Sequence, residues 1–73
     1  MEETYKQHVI RAGAAAVRDR NEWKPIAQVN WYEDGKDRVR LWMEWQFRRA
    51  FATEKEAETE AELSAKKWID GKT

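Results

Sequence analysis

Cysteine is absent from the 73-residue chain, which excludes both a disulfide framework and a thiolate-ligated metal site. Proline occurs once, as Pro25, and glycine three times, as Gly13, Gly35 and Gly71, so no glycine-rich loop exists to cradle a phosphate. The single histidine, His8, has no nucleophile motif beside it and reads as an exposed strand residue rather than a base. No apolar run approaches the roughly 18 residues that a membrane span needs. The opening Met1-Glu2-Glu3-Thr4-Tyr5 lacks the basic and apolar regions of a secretory signal, so a cytoplasmic protein is expected. Charge of one sign is missing too: 14 basic and 14 acidic residues cancel, whereas a general nucleic-acid binder carries a basic excess. Neither a cofactor nor a bound metal is expected. Catalysis is not expected either, because one short domain with a single helix barely encloses a pocket.

Aliphatic side chains are scarce as well. Val9, Ile10, Val17, Ile26, Val29, Val39, Leu41, Leu63 and Ile69 are the whole supply. Residues 1–73 read as one domain near the lower size limit for independent folding, where every large apolar group matters. What the chain has in quantity is aromatic: Trp23, Trp31, Trp42, Trp45 and Trp68, with Tyr5, Tyr32, Phe47 and Phe51. Each can bury on the order of 150–250 Å². An aromatic core is therefore expected, and self-association is one remedy for a core this small.

The C-terminal segment reads as a helix from about Glu54 to Asp70. Thr53-Glu54-Lys55-Glu56 has the form of a capping box, in which Thr53 and Glu56 satisfy each other's backbone donors. Ala57, Ala61, Ser64, Ala65 and Trp68 recur at helical spacing and mark the face that meets a sheet. Glutamates in the first turns and Lys66 and Lys67 near the end suit the helix dipole, and Gly71 is a stop.

Two segments before it, Lys24 to Glu33 and Arg38 to Phe47, are rich in β-branched and aromatic residues and flank the turn residues Glu33-Asp34-Gly35-Lys36-Asp37. The second alternates. Val39, Leu41, Met43, Trp45 and Phe47 are expected to face the helix, leaving Arg38, Arg40, Trp42, Glu44 and Gln46 on the open side. In the first, Ala27, Val29 and Trp31 oppose Ile26, Gln28, Asn30 and Tyr32. A two-residue Asp34-Gly35 loop would pair Val29 with Arg40 and put charge on the inner face, so a three- or five-residue loop is expected. Tyr5 to Arg18 could be helical by propensity, but Gly13 at its centre and the marginal stability of a two-stranded sheet favour a third strand, with Asp19 to Glu22 as the turn. Pro25 belongs at a strand start or edge. The expected fold is α+β: a three-stranded antiparallel meander closed by one C-terminal helix.

The early tyrosine, Trp23-Lys24-Pro25, and Phe51-x-Thr53-x-x-Glu56-Ala57 leading to Ala61, Ala65 and Trp68-Ile69-Asp70 make the chain similar to a group of small uncharacterised bacterial β-β-β-α proteins. That resemblance implies a fold and no activity. In architecture the reading also resembles phage integrase arm-binding domains and the plant ethylene-response DNA-binding domain, which lay an open sheet face in the major groove.

Two surfaces follow. The open face would carry Tyr32, Arg38, Arg40 and Trp42, a set suited to holding phosphates and stacking on bases. Trp, Tyr and Arg are equally the residues enriched at protein interfaces, and the neutral charge favours a protein partner or a homodimer over nucleic acid. Arg48 and Arg49, just ahead of the helix, are the candidate small-anion site. Glu54, Glu56, Glu58, Glu60 and Glu62 lie two apart, spread around the helix and converge on nothing.

Overall fold

The computed structural model describes residues 1–72, in the order β1 (Glu2–Tyr5), β2 (His8–Val17), β3 (Glu22–Glu33), β4 (Lys36–Trp42), a 3-10 turn (Glu44–Gln46) and α1 (Glu54–Lys72). The strands form one antiparallel meander in the order β1-β2-β3-β4, and α1 packs across β2 and β3. The class is α+β as expected, but with four strands instead of three. The extra strand comes from a hairpin at Lys6-Gln7, both held at positive φ (48° and 65°). These values match a two-residue turn that normally selects Gly, Asn or Asp. Two long side chains give no such signal.

The second hairpin overturns the expected register. Asp34 (φ 54°) and Gly35 (φ 75°) form a two-residue turn, and Glu33 pairs with Lys36, Trp31 with Arg38, Val29 with Arg40 and Ala27 with Trp42. Partners share a face, so Arg38, Arg40 and Trp42 lie on the helix side while Val39 and Leu41 lie on the open side. Met43, Trp45 and Phe47 are not in the strand at all. Trp45, expected in the core, sits on the 3-10 turn at 71% exposure. The charge is tolerated because β4 is an edge strand beyond the flank of α1. Arginine stems there can lie along apolar rings and keep their heads in water.

The core is made of small residues, not of aromatics. Ala57, Ala61, Ala65 and Ile69 are completely buried along one stripe of α1, against Ile10, Ala12, Ala27 and Val29 of the sheet. Alanine brings the helix close enough that no fully buried aromatic would fit between. The rings instead line the margin, with Tyr5, Trp31, Trp42 and Trp68 half-buried around the cluster. The Glu56 amide donates to Thr53 Oγ1 (3.1 Å), as expected of the cap, but Glu56 Oε1 accepts from the Thr53 hydroxyl (3.0 Å). The helix also runs two residues past Asp70 to Lys72, through Gly71.

Pro25 lies inside β3, fully buried, opposite Ala14. Beyond Ala27 that strand has lost β4, and Trp23 instead exchanges two backbone hydrogen bonds with Phe51 (2.8 and 2.7 Å). Pro25 has the parity of Trp23, so its missing N–H points into the gap between these two partners. A proline fits there without breaking a ladder bond.

Candidate interaction surface

The helix-side edge gathers the residues that the altered register placed there. Trp68 of α1 packs against Trp31 (centroids 5.2 Å apart) and edge-on to Trp42 (5.6 Å). The Arg40 guanidinium lies 5.0 Å from the Trp42 ring and 5.3 Å from Trp68. Lys72 Nζ stands 3.8 Å from the Trp31 ring and bonds Glu33 Oε1 (3.3 Å), which also accepts from the Trp31 indole N–H (2.8 Å). Those two donors, the indole first, hold the Glu33 carboxyl below its ordinary value. Two cations thus cover ring faces that would otherwise meet water.

His8 is a correction as well: it is buried, not exposed. It pairs with Tyr5 at the mouth of the first hairpin on the helix side, with its ring 5.4 Å from Trp31. The Lys6 carbonyl lies 2.7 Å from Nδ1 and can only accept, so Nδ1 carries the proton and Nε2 is left buried without a partner. Nearby, Lys6 Nζ (2.6 Å) and the Tyr5 hydroxyl (2.8 Å) both donate to Asp70 Oδ1, tying the hairpin to the end of α1. Together they hold the Asp70 carboxyl below its ordinary value, Lys6 contributing most.

The four-residue set read from the sequence is therefore divided. Tyr32 stands on the open face, 71% exposed, while Arg38, Arg40 and Trp42 are on the other side. Trp42, expected bare, packs against the core. Arg48 and Arg49 are exposed neighbours beside a hollow of about 160 Å³, with Arg49 over the Phe51 ring (4.9 Å) and Glu60 also lining the hollow. That carboxylate opposes an anion.

The open face carries what the sequence reading missed. Cross-strand rows there run Val9–Asn30–Val39 and Arg11–Gln28–Leu41, with Gly13 beside Ile26 at one end and Tyr32 beside Asp37 at the other. Val39 and Leu41 are 56% and 51% exposed. The amides of Gln28 and Asn30 bond each other (2.7 Å), and Arg11 pairs with Glu2 (3.3 Å). A shallow groove of about 520 Å³ runs along Arg11, Gly13, Ile26, Gln28, Leu41 and Met43. The Asp34-Gly35 dipeptide was the signal that could have found this face. Its preferred turn has two residues, and that parity alone turns Val39 and Leu41 outward.

No family model, no curated protein and no solved structure matches the chain. Among the described residues no helix is long and apolar enough to cross a membrane.

Proposed function

We propose that the chain is a non-catalytic interaction module whose open sheet face docks on the same face of a second copy. The placement of the aliphatic residues supports this reading. Of the nine in the sequence, Ile10, Val29 and Ile69 serve the core. Val9, Val17, Ile26, Val39 and Leu41 fall on the open side. A water-facing side of an antiparallel sheet is ordinarily polar at alternate positions. Here five of the nine aliphatic side chains are spent there.

Size and charge suit a second copy. Strands about 4.8 Å apart, with about 3.4 Å per paired residue, give the face roughly 600 Å² in projection at most. A standard interface covers ~800 Å² per partner, so nearly the whole face would take part. Its charges alternate in sign, with Glu2 beside Arg11 and Glu22 near Lys24, so two copies meet without a field of one sign. Stacked sheets about 10 Å apart would leave the helices on the outside. The rival reading, nucleic acid on one continuous sheet face, needs Tyr32 beside Arg38, Arg40 and Trp42, which are on opposite sides.

Sedimentation across micromolar to millimolar concentration tests the proposal. The expected result is a shift from the 8.8 kDa chain to twice that mass, abolished by Leu41→Asp. A wild-type chain that remains monomeric at millimolar concentration removes it.

A further inference from the structure

Gly13 has no conformational reason to be glycine. It lies within β2, and Gly35 is the one glycine at positive φ among the described residues. A Cβ built on Gly13 would meet Ile26 Cγ1 at 3.7 Å and Cδ1 at 3.9 Å, ordinary contacts that the fold would accept. Glycine inside a strand weakens it, and often marks a place where another group approaches the backbone closely. What its bareness produces here is part of the floor of the 520 Å³ groove.

A large apolar group without a home stands close by. Trp45 is 71% exposed on the 3-10 turn, and Met43, two residues earlier, lines the groove. The Trp45 Cα is therefore within about 7 Å of the Met43 Cα. An exposed ring two residues along the chain from a depression is an arrangement that a two-fold axis completes when the ring turns to the groove's side. Rotation about an axis in the plane of the face, bisecting the line between them, lays each protrusion on the other copy's depression. The contact closes on itself and ends at two chains.

We infer that the Trp45 indole of each copy seats over Gly13 in the groove of the other. This rests on the face-to-face pairing proposed above and names the residues that fix its register. Arg11 and Gln28 at the rim give the indole N–H and ring edge a polar boundary, while Ile26, Leu41 and Met43 supply apolar walls.

The test uses two variants of the full chain. Trp45→Ala keeps the groove and removes the protrusion; Gly13→Val keeps the protrusion and fills the groove with a residue suited to a strand. Each alone removes both seats of the symmetric dimer, about thirtyfold apiece for a central tryptophan, so its homodimer should be roughly a thousandfold weaker than wild type. Both should melt as monomers no lower than wild type, because neither touches the core. Mixed together they should form a heterodimer that keeps one of the two seats, weaker than wild type but about thirtyfold stronger than either variant alone. A mixture that dimerises no more strongly than either variant alone overturns the seating and leaves the face-to-face pairing standing. Dimerisation of either variant at wild-type strength does the same. Monomeric wild type removes both proposals. If Gly13→Val fails to fold, Gly13→Ala, whose Cβ would meet only ordinary contacts with Ile26, takes its place in the mixture.

Discussion

Val29 and Arg40 face each other across the β3–β4 ladder, yet Val29 is completely buried while Arg40 is in solvent. One sheet face can do both because α1 covers the middle of the sheet and not its β4 edge. Inner and outer are therefore set by distance from the helix axis as well as by strand parity. The arginine spans that boundary by lying on Trp42 and Trp68.

The two central tryptophans should differ in their effect on stability, Trp42 being the structural one. Trp42→Ala should cost about 2–4 kcal/mol, because it opens the margin of the core against Trp68. Trp45→Ala should fall within ~0.5 kcal/mol for the monomer. Urea denaturation of both variants at low concentration checks the order; equal losses would contradict the register.

Gly35 and Gly71 should respond in opposite directions to alanine. Gly35 sits at φ 75°, where a Cβ is strained, and its replacement should destabilise by roughly 1–2 kcal/mol. Gly71 is in α1 with nothing within 4 Å of a built Cβ, so Gly71→Ala should stabilise by about 0.5–1 kcal/mol. Thermal melts of the two variants give the signs directly.

Ala61 is completely buried between helix and sheet. Ala61→Leu forces the two apart and should cost about 1–3 kcal/mol or more despite adding apolar surface. A neutral or stabilising result in denaturant titration would mean that the helix does not lie as close as the alanine stripe requires.

Acid should weaken the fold through three carboxylates. Asp70, Glu33 and Glu62 all have folded-state values lowered by hydrogen bonds from Lys6, the Trp31 indole and Lys66 respectively. A lowered value means that protons bind the unfolded chain more readily. Their stabilisation is complete above the ordinary carboxylate range near 4 and disappears as pH falls through the lowered values. Asp70→Asn should flatten the acid limb of a melting-temperature profile, and added salt should shrink the effect, because Asp70 is exposed. An unchanged acid limb would show that the Tyr5–Lys6–Asp70 cluster contributes nothing in solution.

The C-terminal helix was legible because three independent signals agreed: the Thr53–Glu56 cap, the alanine spacing and the ordering of charges along it. Antiparallel pairing was legible from β-branched and aromatic content. Three things were not. Lys6-Gln7 turns the chain with residues that carry no turn signature, which hid β1. Asp34-Gly35 did carry its signature, but the rule that charge avoids the inner face was set above it, and on an edge strand local turn chemistry wins. His8 was placed in solvent because the hairpin that turns it inward was unseen. For the candidate site, Tyr32 and Ile26 were placed on the open face correctly, whereas Val39 and Leu41 were sent to the core by that one parity choice.

Pro25 has a consequence for how copies can join. A bare strand edge with all its donors recruits further strands, and growth by that route ends in ribbons and fibrils. Along the stretch of β3 that β4 leaves uncovered, the proline withholds a donor and Phe51 takes the adjacent ones. Farther along, the outer edge is β4 itself, with Lys36, Asp37, Arg38 and Arg40 along it. Sideways pairing is discouraged at both places along this edge of the sheet, so strand addition there does not compete with contact between the broad surfaces.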